Sequence, residues 1–330
     1  MATEREAYLC LSAMLRARET KLLNTEKSIR MLEAQSFEDA AKQLTDCGYD
    51  DMSQMKAVEI ESCLNEHRNA VFAEIARMCP QKELVDVFRM KYDYHNAKTV
   101  IKSEAMGLDA RRLLSNSGRT DGEKLLALYN DGQYRDMPGK LRGAVEEAKN
   151  ILARTNNPQL ADLVLDKAYF DEVRQAAETT GCDFFRGYAD MLVDCANLKS
   201  AVRVLRMGKG AVFMDSVLID GGRVDTDRIK KVTDKEALLS LYSHTALEKA
   251  ATLGAESLDG GSMTAFELEC DNTLGRYLSS ARRVSYGPEA VVEYLAAVEG
   301  EITAVRMILT GRLAGVAPQV IRERLRDLYA

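Results

Sequence analysis

Asp93-Tyr-His-Asn96-Ala-Lys98 and Asp194-Cys-Ala-Asn197-Leu-Lys199 are one motif, D-x-x-N-x-K, written twice 101 residues apart. Around the first copy Val87, Met90, Tyr94, Ala97 and Ile101 keep a 3-4-3-4 spacing. Around the second, Tyr188, Met191, Cys195, Leu198 and Val202 do the same. Apolar side chains at that spacing share one face of an α-helix, so both motifs sit on buried helices. Downstream, Ser117-Gly-Arg119-Thr-Asp121 matches Gly221-Gly-Arg223-Val-Asp225, now offset by 104, which places a three-residue insertion between helix and turn. A third, degenerate copy keeps the seam at Val291, Tyr294, Val298, Glu301 and Val305, followed by Gly311-Arg312. There Ala297 and Gly300 replace the Asp and Asn. A period near 100 is far longer than the roughly 33–47 residues of common helical solenoids. The sequence therefore predicts three similar helical bundles, over 1–125, 126–230 and 231–330, with the N- and C-terminal helices packing together.

The stretches between these motifs also read as helix, and the fold class is all-α. Ala7 to Leu23 carries Tyr8, Leu11, Leu15 and Leu22 on one side. Ser36 suits a helix cap. Met52 to Cys79 holds no Pro or Gly, and after Pro80 a second long helix is expected from Lys82 to Gly107, closed by that glycine. Thr120-Asp-Gly-Glu123 and Thr233-Asp-Lys-Glu236 fit the capping box, with the threonines as caps. Pro158 and Pro288 suit first helical turns. Ala211–Ile219 is the best strand candidate and reads equally as a buried helix.

Composition narrows the function classes. The 330 residues carry 45 Lys+Arg against 51 Asp+Glu, a net −6, which argues against general nucleic-acid binding. Seven cysteines without C-x-x-C spacing argue against a disulfide framework or a Cys₄ zinc site and suit a reducing cytosol. The opening MATEREAYLC has no apolar stretch of signal length. The longest uncharged run, Ala237–Leu247, spans 11 residues, short of the about 18 that a membrane span requires. The three histidines, His67, His95 and His244, lack metal-ligand spacing, and neither a Walker-type loop nor a G-x-S-x-G motif occurs. Nothing marks a catalytic, cofactor or metal residue. Charge is uneven: 202–231 and 303–330 each carry net +3, leaving −12 elsewhere, a polarity that suits docking between unlike partners.

Three groups of residues stand out, each with two readings. Asp93/Asn96 and Asp194/Asn197 lie one helical turn apart and either meet a partner or form a repeated hydrogen-bonding pair between helices. Arg119, Arg223 and Arg312 recur in Gly-Arg turns. They are either a triplet of basic groups about a pseudo-threefold axis or solvated arginines beside helix-end glycines. Glu301 interrupts an apolar seam, so it either pairs with Arg282, Arg283 or Arg306, or the seam is exposed there.

The Asp93–Lys102 helix, D-Y-H-N-A-K-T-V-I-K, and the run Glu299-Gly-Glu301-Ile-Thr-Ala-Val-Arg306-Met-Ile-Leu-Thr-Gly311-Arg312-Leu-Ala-Gly315 resemble the C-subunit family of the V-type (A-type) ATPases, which is related to the eukaryotic d-subunit family. The resemblance covers essentially the whole chain, and E-x-E-x-x-x-x-R at Glu299, Glu301 and Arg306 is its most specific part. It implies a funnel of three helical bundles about a pseudo-threefold axis, seated on the cytoplasmic face of the membrane rotor ring. It further implies a mouth that receives the central-stalk shaft, torque transmission for ATP-coupled proton or sodium transport, and no chemistry or cofactor of its own. The residues alone leave open a helical adaptor or a small-molecule binder unrelated to the ATPase.

Overall fold

The computed structural model describes residues 5–328, which form helices and turns with no strand among them. The predicted long helices are present. In chain order, α1 is Leu9–Glu19, α2 Thr25–Glu33, α3 Phe37–Lys42 and α4 Ala57–Met78. They are followed by α5 Glu83–Met106, α6 Gly122–Asn130, α7 Leu141–Thr155, α8 Pro158–Thr180 and α9 Asp183–Arg206. Next come the short α10 Ala211–Val217 and α11 Thr226–Ile229, then α12 Lys235–Tyr242, α13 Glu248–Leu258 and α14 Met263–Ser279. α15 Pro288–Leu313 and α16 Pro318–Arg322 complete the order. Ser36 caps α3 by accepting from the Asp39 amide, and Gly107 closes α5 in the left-handed region at φ 66°. Pro158 and Pro288 each open a helix, where a missing N–H costs nothing. Ala211–Ile219 is no strand. Its first seven residues are α10, in which only Met214 is buried.

At both expected capping boxes the cap falls one residue later than the sequence suggests, on an aspartate in place of the threonine. Asp121 caps α6, its carboxylate accepting from the amides of Glu123 at 3.0 Å and Lys124 at 3.1 Å. Asp234 caps α12 by accepting from Ala237 N at 2.8 Å. At the first site the cause is visible, since the Thr120 amide is already held by Asp93 Oδ1 at 3.1 Å. The helix therefore begins only after that bond. At the second, the Thr233 hydroxyl donates to Asp234 and supports the cap instead of forming it.

The chain divides into two compact units, Gln81–Ala189 and Met1–Pro80 with Asp190–Ala330, and the division falls within α9. In Gln81–Ala189, α8 packs against both α5 and α7, and α6 covers α5. The core there joins Ala97 and Ile101 of α5 to Leu125, Val145, Ala161 and Leu165. The discontinuous unit has two packed regions. In one, Leu198 and Val202 of α9 meet Tyr242, Ala250, Phe266 and Cys270 from α12, α13 and α14. In the other, α15 lies against α1, α2, α3 and α4. Val291, Leu295, Val298, Ile302 and Ile308 of α15 are fully or almost fully enclosed, as are Ile60, Leu64, Phe72 and Ile75 of α4. This last region joins segments from opposite ends of the sequence, so its formation closes a very long loop.

The shifted caps are testable. Asp121→Ala is expected to destabilise Gln81–Ala189 by about 1 kcal/mol, whereas Thr120→Ala changes little, because an N-cap acceptor is worth roughly 0.5–2 kcal/mol. Urea unfolding followed by helical circular dichroism measures both. Equal losses in the two variants would reject Asp121 as the cap.

Candidate functional site

The repeated motif works as a staple between each long helix and the turn that follows it. Asn96 Nδ2 donates to Ser115 O at 2.7 Å, and its Oδ1 accepts from Ser115 N at 2.8 Å. Asn197 does the same to Ile219, at 2.7 and 2.9 Å. An amide side chain carries both a donor and an acceptor, so one asparagine satisfies both polar groups of one buried backbone residue. One turn earlier on the helix, Asp93 accepts from Thr120 N and from Arg119 Nε at 2.7 Å. Asp194 accepts from Arg223 N at 3.1 Å and Val224 N at 3.0 Å. These contacts explain the glycine of each Gly-Arg turn. A Cβ on Gly118 or Gly222 would collide with Oδ1 of Asp93 or Asp194. Burial pushes both aspartates above the usual carboxylate range, partly offset by the donors they gather.

The three recurring arginines stand in three different environments. Arg119 is enclosed, bridging Asp93 and Glu172, the latter at 2.6 Å, while the Tyr94 hydroxyl donates to Glu172 at 2.8 Å. Arg223 is exposed, with its Nε 3.4 Å from Asp190. The difference lies in the helix opposite. Where α8 supplies Glu172, the matching position of α14 is Tyr277, which offers no carboxylate. Arg312 donates to the carbonyls of Leu32 and Ala34, both at 2.7 Å, so it covers the open C-terminal end of α2.

The E-x-E-x-x-x-x-R run binds the last long helix to the first segments of the chain. Glu299 pairs with Arg68, an almost wholly enclosed guanidinium on α4, at 3.0 Å. Glu301 is 2% exposed, so the seam is buried there. None of the arginines expected beside it is its partner. Arg282 pairs with Glu293, and Arg306 with Glu61. Glu301 instead accepts from the Leu23 amide and, at 2.7 Å, from the Tyr49 hydroxyl. Burial raises its pKa to about 6 against the pull of these donors and of Lys27. The Tyr49 ring in turn stacks on His67, with centroids 4.1 Å apart.

One further ion pair occurs three times. Lys102 of α5 meets Asp162 of α8 at 2.6 Å. Arg203 of α9 meets Glu267 of α14 at 2.5 Å. Arg306 of α15 meets Glu61 of α4 at 2.7 Å. The three basic residues occupy one register of the 3-4-3-4 seam. The lysine of D-x-x-N-x-K makes a similar bridge in its two copies, Lys98 to Asp166 and Lys199 to Asp271. In the third copy Ile302 replaces that lysine, and α4 carries Asn65 in place of the aspartate.

Among the described residues no group of three His, Cys, Asp or Glu is arranged to hold a metal ion, and no helix is long and apolar enough to cross a membrane. What these residues build is a stapled helical scaffold. A family model for the ATP synthase (C/AC39) subunit matches residues 11–324. The chain belongs to that family. It is 21% identical over 328 residues to the C subunit of the V-type sodium ATPase of Enterococcus hirae, covering 98% of this chain and 99% of that one. It is 25% identical over 354 residues to the C subunit of the A-type ATP synthase of Methanocaldococcus jannaschii, covering 99% and 88%. With the corresponding A-type ATP synthase protein of Haloferax volcanii it shares 23% over 281 residues, covering 81% and 80%. As a C/AC39 family member the chain is a rotary-ATPase component and a non-catalytic one.

Sequence reading found the staple residues and missed their partners. Glu172, Tyr49, Arg68 and Glu61 have no local pattern of their own. The recurrence of Glu61, Asp162 and Glu267 one residue after a buried Ile60, Ala161 or Phe266 was the available signal.

Two expectations follow. Arg119→Ala leaves two buried carboxylates without their guanidinium and is expected to destabilise Gln81–Ala189 by about 3–5 kcal/mol. Arg223→Ala, at an exposed site, is expected to change stability by no more than about 0.5 kcal/mol. Chemical denaturation of both variants decides whether the arginines differ as described. The second concerns pH. Because the folded-state pKa of Glu301 lies above its unfolded value, the folded chain holds that proton more tightly between about pH 4.5 and 6. Its contribution to stability thus falls as pH rises through that window, reaching a cost of about 2 kcal/mol above it. Glu301→Gln keeps an acceptor for Leu23 and carries no charge. It is expected to exceed wild type in stability by up to about 2 kcal/mol at pH 7.5 and to match it near pH 4.5. A pH-independent difference in denaturant midpoints would refute the charge as the cause.

Proposed function

We propose that this C/AC39 protein is the socket of a rotary V/A-type ATPase, joining the central-stalk shaft of the soluble head to the membrane rotor ring on its cytoplasmic side. It transmits torque for ATP-coupled proton or sodium transport. The observation that carries the reading is the thrice-recurring ion pair, Lys102–Asp162, Arg203–Glu267 and Arg306–Glu61. It supports three like bundles, over about 1–125, 126–230 and 231–330, arranged about a pseudo-threefold axis as a funnel. The third is completed by α4 from the start of the chain. A closed ring of bundles suits a part that must not unwind under torque, and the buried staples at Asp93, Asn96, Asp194 and Asn197 make each long helix and its turn one rigid piece. The relatives named for sodium ATPase and ATP synthase support both directions of ion coupling. The ion itself is chosen by the ring.

Of the arginines expected at a partner contact, Arg223 is the one whose head group lies in solvent, and we assign the contact to it. Arg119 and Arg312 act by holding the scaffold that presents it. In reconstituted vesicles, complexes lacking this chain are expected to keep hydrolysing ATP in the soluble head and to lose ATP-driven ion pumping. Pumping undiminished without the chain would sink the socket assignment. Arg223→Glu is expected to weaken assembly by up to about fivefold, most visibly at low salt, since exposed pairs are worth about 0–1 kcal/mol and are screened as salt rises.

A further inference from the structure

The end of α9 runs into Arg206-Met-Gly-Lys209-Gly-Ala-Val212, seven consecutive exposed residues. Gly208 turns the chain there at φ 63°. Met207 is 53% exposed and Val212 89%. Among the described residues neither the Arg206 guanidinium nor the Lys209 ammonium has a hydrogen-bond or ion-pair partner. The tip is net +2 on a chain of net −6, so it is a local positive island. Its chemistry is narrow. It offers two cations and two exposed aliphatic side chains, with no acidic group, aromatic ring or side-chain acceptor. The tip has none of the aromatic anchors, Tyr, Trp or Phe, that protein interfaces favour. Cations beside aliphatic groups match a surface with phosphate outside and hydrocarbon beneath.

The other two long helices also end on exposed apolar and basic residues, but with acidic partners: Arg111 lies 3.7 Å from Asp109, and Arg322 pairs with Glu33 at 2.8 Å. α5 runs out through Met106 and Leu108, both more than half exposed, to Arg111 and Arg112. α15 runs out through Val316 and Val320 to Arg322. Left-handed glycines, Gly107 and Gly315, stand at both places, as Gly208 does after α9. Scattered exposed aliphatics are ordinary on protein surfaces. What sets the 206–212 tip apart is that both of its cations stand beside exposed apolar side chains without an acidic partner among the described residues.

We propose that the 206–212 tip is a contact for anionic phospholipid headgroups, weak on its own and auxiliary to the protein contacts of the complex. It rests on the proposed seat of the chain beside a membrane. Each cation near an anionic bilayer is worth about 1 kcal/mol, so the two together hold the tip only loosely. The aliphatic pair adds shallow burial at the headgroup boundary.

The absence of tryptophan from the sequence gives a clean probe. Val212→Trp places a single indole on the tip, and Val58→Trp places one at a site 81% exposed on α4 as a control. Both variants of the full chain are titrated with phosphatidylglycerol and with phosphatidylcholine vesicles. The indole at 212 is expected to shift its emission to the blue with phosphatidylglycerol alone, to be quenched by brominated acyl chains, and to lose the shift at high salt. Adding Arg206→Glu and Lys209→Glu is expected to raise the lipid needed at least about tenfold. A 212 indole that behaves like the 58 indole overturns the proposal. A shift seen only with neutral vesicles carrying the rotor ring also overturns it, by making the tip a protein contact. That second result leaves the socket reading standing, whereas failure of the ring and shaft to assemble with the chain removes the socket reading and not the lipid one.

Discussion

A carboxylate or amide buried on a helix face must find its partners within the fold, and in this protein it finds them in the turn immediately downstream. Asp93 and Asn96 hold Thr120 and Ser115, and Asp194 and Asn197 hold Val224 and Ile219. Unpaired, each of those buried groups costs about 1–3 kcal/mol. Paired, they fasten the chain as it leaves one long helix and so determine where the next helix starts. The cap shift from Thr120 to Asp121 and the glycine demanded at 118 and 222 both descend from this one requirement.

The same constraint is met differently in the last long helix. Ala297 and Gly300 carry no polar groups, and the helix is anchored through Glu299, Glu301 and Arg306 to α4 and to the segments around Leu23 and Tyr49. Two copies are thus stapled locally and one is stapled across the full length of the chain. The cross-chain form retains a carboxylate whose burial is unfavourable at neutral pH. Glu301 keeps its place by satisfying a backbone amide and a phenol together, a pair of donors that no aliphatic side chain can serve.

Electrostatic roles follow burial more than motif. Arg119 and Arg223 share a sequence context, yet one is locked between two carboxylates and the other stands in solvent. The reason is a single exchange on the helix opposite, Glu172 for Tyr277. Likewise the seam ion pairs are partly exposed and individually weak. Their interest is positional, since Lys102, Arg203 and Arg306 share one register of the 3-4-3-4 seam.

Periodicity by itself determined that the chain is helical, where its long helices run and that two of them carry one motif, because the 3.6-residue repeat and the left-handed glycine are local properties. It also exposed Asp93, Asn96, Asp194, Asn197 and Glu301 as polar residues on apolar seams. Partners lay beyond its reach. Glu172 is 79 residues from Asp93 and Arg68 is 231 from Glu299, and no local pattern links positions so far apart. Tertiary structure decided that Glu301 is buried without an arginine and that the ends of the sequence share one core. It also separated an enclosed arginine from an exposed one. The physical reason is that solvation depends on everything packed around a group, whereas helix formation depends on its near neighbours in the chain.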